Sequence, residues 1–76
     1  MKLKEERQRA KFTQIKLANI ACIDLSTLQK YERGARSIDG ASLKTLLRLA
    51  IALNCRLEDI IEDEETVEML RRVRVF

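Results

Sequence analysis

The side chains of this 76-residue chain best suited to chemistry are hydrogen-bond donors and cations, concentrated in residues 12–34, FTQIKLANIACIDLSTLQKYERG. Ser26, Gln29, Lys30 and Arg33 stand close together there, and Arg36 follows just beyond. Hydroxyl, amide and cationic groups on an exposed helix suit base edges and phosphate oxygens. Groups for bond-breaking chemistry are missing. There is no His, no nucleophile beside a base, no paired carboxylates in an expected pocket and no phosphate loop. The chain is therefore read as a non-enzyme. Cys22 and Cys55 form no zinc spacing, so no metal or other cofactor is expected. Both lie in apolar contexts and are read as buried free thiols rather than a bridge.

The elements that must position these residues are legible around them. Thr13 is a good N-cap, and Ile15, Leu17, Ala18 and Ala21 recur at helical spacing. Asp24 is a second N-cap candidate only a few residues later. From Leu25 to Arg33, Leu28 and Tyr31 share one face, with Ser26, Gln29, Lys30 and Arg33 elsewhere, and Gly34 stands where a helix should stop. Two short helices this close are the layout of a helix-turn-helix, whose second helix fits the DNA major groove.

At Thr13-Gln14, Leu17-Ala18, Ile23, Asp24, Ser26-Thr27-Leu28, Glu32 and Gly34 the chain resembles the Cro/cI-type helix-turn-helix family, also called the XRE family. SLKTLLRLAIALNCRLEDII, residues 42–61, resembles that family's last two helices, and the likeness covers roughly residues 3–61. It implies an all-α, compact five-helix, lambda-repressor-like DNA-binding domain. Carried over residue by residue, it implies base reading by Leu25, Ser26 and Lys30, with Gln29 beside them. Lys30 can donate to guanine O6 and N7, Ser26 can donate or accept, and Leu25 can pack on a thymine methyl. Gln14 corresponds to a residue that meets a phosphate at a helix start, against the bland reading of a surface Gln. Thr27 faces a phosphate or its own backbone. Arg33 replaces the family's frequent Asn, which makes that backbone contact electrostatic, and Arg36 extends it. Arg7 and Glu32 match a partly buried salt bridge between the first and third helices. Cys22 occupies a turn position usually filled by Gly; a left-handed backbone there would cost about 1 kcal/mol.

The remaining sequence supplies the frame. Helices are expected from Lys2 to Lys11, over the two motif segments, after Ser42, and from Leu57 to Ile61, with a loop at residues 34–41. Leu3 and Ala10, and Leu43, Leu46, Leu47, Ala50 and Leu53, are candidate core residues, and Asn54 can end the fourth helix in a left-handed conformation. The net charge of +3 hides an asymmetry: residues 1–57 carry +7 and residues 58–76 carry −4. A basic domain would attract phosphates, although the same charges could simply solvate helix surfaces. No run can span a bilayer, so a cytoplasmic, nucleoid-associated protein without membrane or small-molecule ligand is expected.

Residues 1–61 are read as the helix-turn-helix domain and residues 62–76 as a C-terminal extension. In it Val67, Leu70 and Val73 recur every three residues, while residues 72–76 alternate as a strand would. Val67, Leu70, Val73, Val75 and Phe76 are candidates for dimerisation, with packing on the chain's own core as the alternative. The expected function is a homodimeric transcriptional repressor on double-stranded DNA, reading an inverted repeat. An antitoxin-like or protein-interaction module is the other reading.

Overall fold

The computed structural model describes residues 1–73, and among these every regular element is helical. We number five α-helices: α1 Lys2–Arg9, α2 Gln14–Ala21, α3 Leu25–Glu32, α4 Leu43–Leu53 and α5 Glu64–Val73. Single 3-10 turns lie at Ile38–Gly40 and Leu57–Asp59.

Local chemistry sets the helix ends. Thr13 and Ser42 accept bonds from the backbone N–H groups of Lys16 and Thr45, so donors in the first turns of α2 and α4 are satisfied. Asp24 holds the N-cap backbone conformation of α3, but its carboxylate makes no capping bond. Three helices stop on a non-glycine residue in the left-handed conformation: Lys11, Cys22 and Asn54. After each, the next N–H reaches back five residues: Phe12 to Arg7, Ile23 to Ala18 and Cys55 to Ala50. These are Schellman stops, which return the last carbonyls to hydrogen bonding. Gly34, at φ +77°, performs the same reversal after α3.

The core gathers Leu3 of α1, Leu17, Ala18 and Ala21 of α2, Leu28 and Tyr31 of α3, and Leu46, Leu49 and Leu53 of α4. α2 packs on both α3 and α4, which fixes the angle at which α3 is presented. The expected α4 stripe is corrected by rotation. Leu49 is fully buried and centres the inward face, so Leu43 and Leu47 stand at the rim, exposed. Ile15, in the first turn of α2, is exposed as well. Cys22 is exposed rather than buried, because the left-handed turn carries its side chain away from the helix; Cys55 is half-buried, and both thiols are free.

Two further expectations change. The short helix at residues 57–61 is only a 3-10 turn, with Ile60 and Ile61 buried behind it. The extension instead folds as α5, capped by Asp63, whose carboxylate accepts from the Thr66 N–H at 3.0 Å and its hydroxyl at 2.6 Å. Those two bonds hold the Asp63 carboxyl below its usual range. Val67 is buried in the chain's own core and Leu70 packs against it. The candidate dimerisation set is thereby divided: Val67 and Leu70 turn inward in cis, Val73 is exposed, and Val75 and Phe76 lie outside the described residues. Further bonds anchor the extension. The Lys2 N–H donates to Glu62 at 2.6 Å, the Lys2 ammonium to the Glu58 and Ile61 carbonyls, and the Glu62 N–H to Asp39 at 2.8 Å.

Candidate nucleic-acid interface

The interface is built on α3. Its inner face, Leu28, Tyr31 and Glu32, is buried, so its outer face has one orientation. Ser26, Gln29, Lys30 and Arg33 follow at i, i+3, i+4 and i+7, which places them on one helical stripe. Ser26, Lys30 and Arg33 are exposed and Gln29 is half-buried. No described carboxylate ion-pairs with Lys30, Arg33 or Arg36. Leu25 and Thr27 are half-buried on the flanks, and Leu25 packs partly against the core. Arg36 lies beyond the end of α3, exposed, with its backbone N–H bonded to the Lys30 carbonyl.

Glu32 organises the supports beneath this face. Its carboxylate receives Arg7 through a fork, Nε to Oε2 at 2.7 Å and Nη2 to Oε1 at 3.0 Å. The two side chains are only 12% and 3% exposed, so the paired charges of α1 and α3 are largely removed from water. Arg7 also donates to the Phe12 carbonyl at 2.8 Å, tying in the chain just before α2. The expected Arg7–Glu32 pair is thus present.

Gln14, the first residue of α2, is drawn into the same network. Its amide donates to Glu32 at 3.1 Å, and its carbonyl oxygen accepts from Gln29 at 3.4 Å. The side chain that was expected to face a phosphate therefore faces the protein, which leaves outward contact to the backbone at the start of α2. A shallow open depression is lined by Lys4, Gln14, Gln29, Glu32 and Arg33. The structure thus brings Gln14, Gln29 and Arg33 together and adds Lys4, a residue sequence reasoning passed over. Nothing local marks Lys4 out; only the packing of α1 against α3 sets it there.

No described group of His, Cys, Asp or Glu is arranged to hold a metal ion. Cys55 titrates near 11 because burial disfavours its thiolate and Glu6 and Asp59 add negative charge nearby.

A buried-faced α3 delivered by α2 across the Cys22–Asp24 turn defines a helix-turn-helix domain. The family comparison agrees: residues 3–60 match the family described as Helix-turn-helix. The chain belongs to that family, as a Cro/cI-type domain of DNA-binding regulators. No curated protein and no solved structure matches the chain. No helix among the described residues is long and apolar enough to cross a membrane.

Proposed function

We propose that the chain is a sequence-specific transcriptional repressor that binds an inverted-repeat operator as a homodimer. The observation that carries this reading is the outward row Ser26, Gln29, Lys30 and Arg33 on a helix whose other face is locked into the core. In the bound state Ser26 and Lys30 read base edges, with Leu25 and Gln29 beside them. Arg33, Arg36, Thr27 and the backbone at Gln14 hold phosphates.

Geometry supports two copies. The longest dimension of the described chain is 35 Å, close to the roughly 34 Å of one duplex turn, so one copy faces a single half-site. Leu43, Leu47 and Ile51 on α4 and Met69 and Val73 on α5 are exposed apolar residues for a second copy to cover. Lys44 and Arg48 accompany the α4 row and Glu65 and Glu68 the α5 row, which are opposite signs for packing α4 of one copy on α5 of the other.

Selection of bound duplexes from a random pool, followed by sedimentation equilibrium with and without the selected duplex, tests the proposal. An enriched inverted repeat carrying two copies is the expected result. A single half-site carrying one copy refutes the dimer. No enrichment at low salt refutes sequence-specific binding and favours the protein-interaction reading.

A further inference from the structure

We infer that the depression between α1, α2 and α3 seats the sugar-phosphate backbone of DNA, and that Lys4 supplies a phosphate contact from outside the helix-turn-helix. The inference rests on the DNA-binding reading above and adds a residue and a location to it. Three helices converge there: Lys4 comes from α1, Gln14 from the start of α2, Gln29 and Glu32 from α3, and Arg33 directly follows. The opening is about 360 Å³, room for a phosphate group and its waters.

Its charge is decided by which groups are already paired. Lys4 and Arg33 are exposed and neither is in an ion pair. Other cations of the surface differ: Arg9 faces Glu6, Arg56 faces Asp59, and Arg71 faces Glu58 and Glu68. Glu32 is the only carboxylate of the lining, and the Arg7 fork and the Gln14 amide cover it. Two uncommitted cations over a neutralised floor make the opening positive, which favours a phosphodiester.

Position completes the argument. Gln29 and Arg33 belong both to the lining and to the outer row of α3. A duplex whose base edges meet Ser26 and Lys30 therefore runs one strand beside this opening. Because the Gln14 amide is already engaged with Glu32 and Gln29, charge contact with that strand falls to Lys4 and Arg33. Lys4 carries no sequence information there; it sets affinity and register.

The test is the salt dependence of affinity for the selected operator and for random duplex, by fluorescence anisotropy, on wild type, Lys4→Ala, Lys4→Ala/Arg33→Ala and Arg48→Ala. Each lost phosphate contact should flatten the log-affinity against log-salt slope by about 0.9. Lys4→Ala should show that shift equally on both duplexes, the double variant about twice it, and Arg48→Ala none. Melting temperatures should match wild type, since Lys4 is exposed and unpaired. An unchanged slope in Lys4→Ala, beside a steep wild-type slope, overturns the seat and leaves the DNA-binding reading standing. An altered base preference at unchanged slope also overturns it. A wild type with no salt-dependent binding overturns both.

Discussion

Replacing Arg7 with Ala should remove much of the stability of this domain. The substitution deletes two bonds to the Glu32 carboxylate and one to the Phe12 carbonyl, leaving a charge whose side chain is 3% exposed. The Gln14 amide is the hydrogen bond that remains to that carboxylate. Breaking one side of a buried pair costs about 3–5 kcal/mol, because the surviving charge stays desolvated. A domain of this size is stable by only about 4–11 kcal/mol. The loss should therefore lower the melting midpoint by more than about 12 °C. Urea unfolding of Arg7→Ala, Glu32→Gln and the double variant is the assay. Glu32→Gln in the Arg7→Ala background should recover part of the loss, since it removes the stranded charge and keeps the shape. A cost below about 1 kcal/mol, additive with Glu32→Gln, is how a solvated surface pair behaves, and would refute the argument.

Other consequences are equally direct. Lys30→Ala should weaken operator binding by about 1–3 kcal/mol and relax preference mainly at one base position per half-site, read by selection on the variant; a uniform loss would move Lys30 to the backbone. Cys22→Gly should stabilise the fold by about 1 kcal/mol by relieving the left-handed backbone, seen in urea unfolding. In a thiol-labelling assay at neutral pH, Cys22 should react quickly and Cys55 slowly, because Cys55 is half-buried and titrates near 11. The Asp63 cap has a depressed carboxyl, so its contribution is present above the ordinary carboxylate pKa and is lost as pH falls through the folded value; Asp63→Asn should blunt that acid dependence, followed by helix content against pH.

Much of the fold was legible where local chemistry acts alone. Thr13, Ser42, Asn54 and Gly34 mark helix ends because capping and left-handed stops depend on the residue and its near neighbours. The Arg7–Glu32 pair was accessible only through family resemblance, since residues 25 positions apart give no periodic signal. Rotation of α4 was not legible: Leu43, Leu46, Leu47 and Leu49 are all apolar, and only packing against α2 decides which point inward. Cys22 read as buried from its neighbours, whereas the turn geometry carries it out. The tail pattern at Val67, Leu70 and Val73 signalled an apolar face without saying whose surface it meets, and the structure turns its first two members inward. For the interface, the outer row of α3 followed from spacing, but Lys4 and the inward turn of Gln14 depend on tertiary contacts.

The bonds between Lys2 and residues 58–62 also bear on how the chain folds as it is made. Leu3 shares its core with Ile60, Ile61 and Val67, and the Lys2–Glu62 bond spans 60 positions. On a ribosome adding about 5–20 residues per second, α1 waits several seconds for those partners to be synthesised. α2 and α3, whose contacts are short in sequence, can pair during that interval. The recognition helix can thus take its place before the strap that closes the domain exists, and the final cooperative step joins the first helix to the last.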